Sequence, residues 1–233
     1  MSNNLIDGFW WYLVFVFSTS CHEAAHAWSA LKLGDDTAFR GGQVSLNPWP
    51  HIKRAPVGMV IVPIVSWLLG GWLLGWASAP FNVLWAQTYP RRAGLMAMAG
   101  PAANLVLAII SLWLLRLGLE WHVFLPLHAI HPGHLVIAAS DGPMENLAHV
   151  LGIGFSLNLL LCIFNLLPIP PLDGSSIPLL ILPHRLAVQC FDALRSPIVQ
   201  TIGFIVIYRT STSWIAPLIN DAGSILYYGI RSY

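Results

Sequence analysis

The sequence has very little charge. Only 9% of its 233 residues are charged and 56% are hydrophobic, with a mean hydropathy of +0.67, whereas soluble domains carry about 25% charged residues. So few charges exclude the solvated surface of a water-soluble globule. Lysine plus arginine (11) and aspartate plus glutamate (10) nearly cancel, which leaves no basic surface for a nucleic acid. We therefore expect a protein of the lipid bilayer with no nucleic-acid partner.

Cysteines and an N-terminal basic region are also scarce or missing. Cys21, Cys162 and Cys190 lie far apart and form no C-x-x-C pair, so they indicate little about the redox compartment. No lysine or arginine precedes Lys32, and the start thus lacks the basic region of a cleaved secretory signal. We expect the first apolar run to stay as an anchor, with its uncharged N-terminus outside.

Long apolar runs are what the sequence has instead. A membrane helix needs about 20 apolar residues, and the polar interruptions leave room for about five to six membrane segments. We predict an all-α polytopic membrane protein that forms a single domain over residues 1–233. The runs lie at about 5–31, 57–76, 94–118, 147–168 and 198–219, with a shorter one near 177–190.

Two stretches between these runs contain too much glycine and proline for a helix. The first includes a short alternating segment at 43–46, and the second runs over 75–94 and includes the segment 75–81. We predict a short membrane-embedded β-strand in each. The segment 119–146 is polar and rich in histidine, so it is expected outside the bilayer.

The motif HEAAH occupies positions 22–26, inside the first apolar run. Positions i and i+4 of a helix share a face about 6 Å apart, so His22 and His26 can bind one metal ion while Glu23 reaches a metal-bound water. Ionisable groups at membrane depth are costly and are kept mostly for function. The motif predicts a zinc site. The alternative is a cluster of polar side chains between helices that satisfy one another's hydrogen bonds.

A tetrahedral zinc site needs a third protein ligand. Asp173 is the outstanding carboxylate in apolar surroundings, in the string FNLLPIPPLDGSS after the run at 147–168. The prolines break the helix there, and broken backbone at membrane depth is tolerated only where it lines a cavity. By spacing alone, Asp173 could instead be the N-cap of the following helix.

Three motifs together resemble the site-2 protease family of intramembrane zinc metalloproteases, in its compact branch without a PDZ domain. They are HEAAH in a membrane helix, AGPAANL at 99–105 and FNLLPIPPLDG at 164–174, and GGQVSLNPWPHIK at 41–53 adds to the likeness. The resemblance covers about residues 5–185, which it implies are the catalytic core. A C-terminal membrane helix is expected at about 198–219.

The resemblance implies a zinc metalloendopeptidase that cleaves transmembrane segments of membrane-protein substrates. It implies that His22, His26 and Asp173 bind one Zn²⁺ per chain and that Glu23 is the general base. The two predicted strands would lie beside the catalytic helix and capture the extended substrate by β-augmentation. A non-proteolytic membrane scaffold or a metal transporter is the rival, but no catalytic residue is lost and the polar intramembrane residues converge on one spot.

Other polar residues have less definite roles. Asn165 resembles the family's polar residue near the metal, which positions the scissile carbonyl or its oxyanion, and a helix–helix hydrogen bond is the alternative. His51 is either a substrate-side donor or gate residue, or a solvated loop histidine. Asn104 is expected to pack between helices near the active site. The remaining histidines of the polar segments lack a regular ligand spacing, so we expect solvated loop histidines rather than a second metal site: His122, His128, His131, His134 and His149.

The topology follows from parity. The first run and the run at 147–168 must cross the membrane in the same direction for their residues to meet at one depth, so only one full crossing can lie between them. We therefore predict that 57–76 dips into the membrane and returns, with Pro63 and the pair Gly70–Gly71 permitting the bend. The segment 119–146 then lies on one side and contains no lysine or arginine. By the positive-inside rule the active site faces the cytoplasm, in what we expect to be a bacterial or archaeal cell membrane. The basic residues that share the cytoplasmic side are Lys32, Arg40, Lys53, Arg54, Arg91, Arg92, Arg185 and Arg195.

Overall fold

A computed structural model describes residues 2–71 and 73–227. Three long helices dominate it, namely α1 (Ser2–Leu33), α6 (Pro90–Glu120) and α7 (Pro143–Leu166). The shorter elements are α2 (Thr37–Arg40), α3 (Pro48–Arg54), a π-helical turn (Val57–Ile61) that continues into α4 (Val62–Gly70), α5 (Val83–Thr88), strands β1 (Phe124–His131) and β2 (His134–Ala138), a 3₁₀ turn (Asp173–Ser176), α8 (Pro178–Ile181), α9 (His184–Leu194), α10 (Pro197–Ser224) and a second 3₁₀ turn (Ile225–Tyr227).

Proline fixes the ends of the two long apolar helices. Pro90 and Pro143 stand at the first positions of α6 and α7, where the fixed φ of proline suits a helix and its missing N–H costs nothing. α7 ends because Leu167 precedes Pro168 and takes an extended conformation, with ψ at 134°, as the steric clash with a following proline demands.

Helices α1 and α7 run parallel, as predicted. Asp7 contacts His149, with 2.7 Å between the carboxylate Oδ1 and Nε2, and further along both helices Asn158 donates to Ser18 Oγ at 2.9 Å. Residue numbers therefore rise together along the pair.

Helix α6 lies against both and runs the opposite way. His22 contacts Asn104, whereas His26, one turn later in α1, contacts the earlier residue Met96. Helix α6 is thus antiparallel to both α1 and α7, and its middle faces the second half of α1.

Two of the described helices, α6 and α7, are long and apolar enough to cross a membrane, and the bent pair Pro48–Arg54 and Val57–Gly70 makes three if it is one span. The protein is therefore a mostly helical membrane protein, while the count of five to six segments stays a prediction. α1 does not qualify although it is long, since polar side chains interrupt its apolar run. Of α10, the described apolar part is Pro197–Val206.

The run near 177–190 does not form a single segment. It divides into the one-turn helix α8 and the amphipathic helix α9, because Pro183 separates them. α9 buries Ala187 and Phe191 and exposes most of its other face, so it lies on the bundle rather than crossing a membrane.

The segment 57–76 returns to the level at which it starts. The axis bends by 112° between α3 and the following helix, and α4 ends at Gly71 in the left-handed conformation, with φ at +66°. On the way back, Trp76 N–H donates to the Gly58 carbonyl at 3.1 Å, and Arg54 Nε donates to the Ser78 carbonyl at 2.8 Å. Entry and exit therefore lie side by side, as the parity argument predicted.

The two predicted strands are wrong as secondary structure. Neither 43–46 nor 75–81 is a strand in the described chain, because a strand needs a partner ladder and an isolated alternating segment supplies none. The Gln43 amide instead donates to the Pro50 carbonyl at 3.0 Å. The described sheet is the antiparallel hairpin β1–β2, inside the polar, histidine-rich segment 119–146, for which we predicted no strand.

Candidate metal centre

The three predicted ligands come together where α1 meets the turn after α7. His22 Nε2 and His26 Nε2 lie 3.0 Å apart, since four residues of helix place both rings on one face. Asp173 Oδ2 lies 3.1 Å from His22 Nε2 and 3.3 Å from His26 Nε2. Both histidines are buried, so these three atoms form a compact triangle shielded by the bundle.

The second ring nitrogens are held by oxygen acceptors. His22 Nδ1–H donates to Asn104 Oδ1 at 2.5 Å, and His26 Nδ1–H donates to the Met96 carbonyl at 2.8 Å. Each neutral ring therefore presents an Nε2 lone pair to the triangle, next to a carboxylate oxygen. Three acceptor atoms that face one another need a cation between them.

The spacing of the triangle fits zinc. Zinc bonds of about 2.0–2.1 Å in a tetrahedron place ligand atoms about 3.3 Å apart, close to the 3.0, 3.1 and 3.3 Å found here. Asp173 Oδ2 is buried without a hydrogen-bond partner in the described part of the chain, which is costly unless a cation satisfies it. His22, His26 and Asp173 are thus the residues that could hold the metal.

Asp173 owes its position to the turn that begins with it. The residue is the first of the 3₁₀ turn Asp173–Ser176, whose N-cap is Leu172, and the N-cap of the following helix α8 is Ile177, so the alternative of an N-cap finds no support. A Cβ on Gly174 would collide with the carbonyls of Leu166 and Leu167. Only glycine therefore lets the turn fold back against the end of α7 and deliver Asp173 to α1.

Glu23 is the one carboxylate beside the triangle on α1. Its side chain is buried, and its Oε2 atom has no hydrogen-bond partner among the described residues. A buried carboxylate without a partner is rare unless it serves a reaction. This oxygen is free to accept a proton.

A buried polar chain stands behind His22. Asn104 donates from Nδ2 to Asn158 Oδ1 at 2.8 Å, and Asn158 donates to Ser18 Oγ at 2.9 Å. All three are almost fully buried, so the chain fixes both the tautomer and the orientation of His22. The sequence indicated Asn104 only as a packing residue and missed Asn158, although a lone amide within the apolar run 147–168 was a usable signal.

Gly100 lets α6 approach the metal centre. A Cβ at this position would overlap the Nε2 atoms of both His22 and His26. The small residues of AGPAANL therefore allow α6 to contact the imidazoles, in addition to allowing close packing of the helices.

Asn165 and His51 are not part of the triangle. Asn165 Nδ2 donates to the Leu161 carbonyl of its own helix at 3.0 Å. His51 is buried, at 1% exposure, and bonds through Nε2 to the Ser45 carbonyl at 2.8 Å. The alternative of a solvated loop histidine at position 51 was wrong, because His51 lies in α3 and its buried ring bonds to the preceding loop at Ser45.

An apolar groove runs past the catalytic helix. Its volume is about 450 Å³, and it lies between α1, α6 and the loop at 44–46. Ala24 and Ala25, the two middle residues of HEAAH, form part of its wall. The other lining residues are Cys21, Trp28, Val44, Ser45, Leu46, Ala103, Val106 and Leu107.

A histidine pair and an aspartate that converge between apolar helices define a membrane-embedded metallopeptidase. The family model for peptidase family M50 matches residues 10–208, and the chain belongs to this family, the site-2 proteases. It is a zinc metalloendopeptidase with Zn²⁺ as cofactor, which confirms the predicted family, enzyme class and metal.

Relatives of the chain are found in two bacterial groups. It is 37% identical over 199 residues to YwhC of Bacillus subtilis, covering 84% of this chain and 77% of that protein. It is 32% identical over 162 residues to Rip2 of Mycolicibacterium smegmatis (68% of this chain, 52% of that one) and 33% identical over 158 residues to Rip2 of Mycobacterium tuberculosis (67% and 51%). All three are provisionally named zinc metalloproteases. The chain thus spans about half the length of the mycobacterial relatives, and no solved structure matches it.

Proposed function

We propose that this chain is an intramembrane endopeptidase that cleaves transmembrane segments of membrane-protein substrates. In this proposal His22, His26 and Asp173 bind the zinc ion, and Glu23 is the general base. The observation that carries it is the triangle of three potential ligand atoms within 3.3 Å of one another, next to a buried carboxylate oxygen without a partner in the described chain.

Zinc, when bound, supplies Lewis-acid polarisation of a peptide carbonyl and lowers the pKa of a water towards about 7. Glu23 accepts a proton from the attacking water and later delivers it to the nitrogen of the leaving amine. The carbonyl carbon gains the oxygen of the water as its bond to nitrogen breaks, and a carboxylate and an amine result.

The surface around the catalytic helix supports a lipid setting. Phe9, Leu13 and Phe17 follow one another at i, i+4 and i+8 along α1 and are 58%, 49% and 50% exposed. Val106, Ile109 and Trp113, at i, i+3 and i+7, form a second stripe on α6 and are 54%, 56% and 60% exposed. Such continuous exposed apolar stripes fit acyl chains and do not fit water.

The apolar groove described above is the proposed entry path for the substrate. A helical substrate cannot be cut while its carbonyls are bound within the helix, so the scissile segment must unwind. The groove passes Ala24 and Ala25, which lie between Glu23 and His26 in the motif. Its other wall is the irregular segment 44–46. The backbone of that segment could pair with an extended substrate although it forms no strand on its own.

The rival function, a scaffold or metal transporter, is less well supported. A transporter needs polar residues along a path through several helices. The buried polar residues of the described bundle centre instead on His22 and its neighbours, apart from a second group at the far end of α1 that is treated below.

The test is cleavage of a single-span substrate by wild type and Glu23→Gln in matched cells. Membrane proteomics should reveal a single-span protein that accumulates uncut with Glu23→Gln, while the purified variant keeps its zinc. Loss of the base is expected to slow cleavage by about 10²–10⁴-fold. Glu120→Gln is the control, because Glu120 is exposed and pairs with Arg116 on its own helix. Turnover by Glu23→Gln at the wild-type rate would exclude the assigned role.

We also propose that the catalytic end faces the cytoplasm of a bacterial or archaeal cell. Cysteine labelling on a cysteine-free background tests this orientation with an impermeant external reagent. Cysteines at positions 40 and 87 should be shielded, whereas one at 131 in the hairpin should react. Labelling of 40 and 87 from opposite faces would contradict the return of the segment 57–76.

A further inference from the structure

A second cluster of metal-ligating side chains lies at the other end of α1. Asp7, His134 and His149 each offer a ligand atom, and these atoms lie within 4.8 Å of one another. His149 Nε2 is 2.7 Å from Asp7 Oδ1, and the rings of His134 and His149 lie 4.5 Å apart between centroids. The three residues come from α1, β2 and α7, so the tertiary fold assembles the cluster.

The hairpin turn is clamped in the position that this cluster requires. Gly133 has φ at +82°, and its N–H donates to the buried Ser156 Oγ of α7 at 3.0 Å. A Cβ on Gly152 of α7 would collide with the Gly133 carbonyl. The turn therefore sits directly on α7, and His134, the next residue, is held above His149.

The cluster lines a polar cavity whose charge suits a cation. The cavity has a volume of about 740 Å³ and also contains Asp141 and Glu145, so three carboxylates surround it. Among the described residues that line it there is no lysine or arginine. Carboxylates without basic partners raise the local concentration of cations.

Both imidazoles are suited to bind a metal. His149 Nδ1 is buried without a hydrogen-bond partner in the described chain. The His134 ring lies 4.5 Å from the His149 ring between centroids, and both side chains line the same cavity. His149 is not the solvated loop histidine that we expected, because it lies in α7 and contacts Asp7, whereas His134 is exposed at the start of β2.

We propose that Asp7, His134 and His149 form a second metal site, which takes a divalent transition-metal ion such as Zn²⁺. Two imidazoles and a carboxylate form a set that suits zinc, nickel or copper better than magnesium or calcium. His134 is exposed and on the hairpin, so its side chain can close the remaining distance to the other two. The site is distinct from the catalytic one, because the 15 residues from Asp7 to His22 span about 22 Å of helix.

Zinc stoichiometry of the full-length purified protein at buffered free Zn²⁺ tests the proposal. Wild type should bind two zinc ions per chain, and His149→Gln should bind one, since glutamine can still donate to Asp7 but is a poor ligand. His22→Ala/His26→Ala should also bind one, and its combination with His149→Gln none. One ion in wild type, or two in His149→Gln, would overturn the second site.

Two further measurements separate this inference from the proposed protease function. His131→Ala removes an exposed histidine of the same hairpin outside the cluster, and it should keep two ions. Added Zn²⁺ should raise the Tm of His22→Ala/His26→Ala because it binds only the folded chain, and the rise should vanish when His149→Gln is added. Two ions in the His22→Ala/His26→Ala protein would count against the catalytic ligands, whereas an unchanged Tm would count against the second site.

Discussion

The two histidine–aspartate clusters at opposite ends of α1 contain the same kinds of side chain and differ in what lies behind them. At the catalytic end, the second nitrogens of His22 and His26 are bound to Asn104 and to the Met96 carbonyl, inside the bundle. At the far end, His149 Nδ1 has no partner in the described chain, and His134 is exposed.

The difference separates a preorganised centre from an adaptable one. Ligand atoms at 3.0–3.3 Å need little movement to bind an ion, whereas atoms spread over up to 4.8 Å must close around it. Outer partners that orient the ligands contribute about 10–100-fold in metal affinity. We therefore expect the catalytic cluster to bind zinc more tightly and to hold it in a fixed geometry, as a reaction centre requires.

The largest expected effect comes from removal of Asp173. Asp173→Ala should lose the catalytic zinc and all measurable cleavage, because two imidazoles alone do not complete the site. The fall in zinc affinity should exceed the roughly 100-fold that removal of an outer hydrogen-bond partner of a ligand causes. Metal analysis after dialysis checks this, with the exposed Asp36→Ala, whose partner is Arg40 on the neighbouring turn, as control. Full retention of the catalytic zinc would remove Asp173 from the ligand set.

The catalytic cluster could be predicted from the sequence because its information is local. HEAAH places two of the proposed ligands by helical periodicity alone, and the prolines before Asp173 mark the break that brings the third proposed ligand. The return of the segment 57–76 followed from parity, since one ligand pair and one distant carboxylate must meet at the same depth. The contacts between Gly58 and Trp76 bear this out.

What the sequence could not supply depends on contacts between distant residues. Asp7 and His149 are 142 positions apart, so no spacing rule links them, and Asn104 and Asn158 meet only because α6 and α7 pack with a particular register. The segment 43–46 alternates like a strand, but alternation records which side chains are apolar and not whether a partner strand exists.

The second largest effect tests the buried chain behind His22. Asn104→Leu keeps the volume but removes the acceptor of His22 Nδ1–H, so zinc affinity should fall by about 10–100-fold. Asn158→Leu, one step further from the metal, should cost less. Competition with a zinc chelator measures both. Equal affinities for wild type and Asn104→Leu would mean that His22 is oriented by other contacts, and the contrast between the two ends of α1 would disappear.

A smaller effect is expected from adding a methyl group to α6, either beside the metal centre or near its C-terminal end. Gly100→Ala and Gly118→Ala both force a Cβ into an aromatic ring, of His22 and His26 in one case and of Phe124 in the other, and overpacking of this kind costs about 1–3 kcal/mol. Both variants should lower the Tm, but only Gly100→Ala should also weaken zinc binding. If Gly118→Ala weakened it equally, the effect would be a general loss of stability.

The smallest effect is expected at Asn165, the residue that was predicted to position the scissile carbonyl. One of its two Nδ2–H groups already donates to the Leu161 carbonyl of its own helix, and this bond holds the side chain against α7. Asn165→Ala should therefore lower kcat by less than about threefold, whereas removal of a true oxyanion donor costs about 10²–10³-fold. Single-turnover cleavage of a reconstituted single-span substrate distinguishes the two. A loss near 10²-fold in kcat with unchanged KM would show that Asn165 turns towards the metal when substrate binds, and would add a fifth residue to the catalytic end.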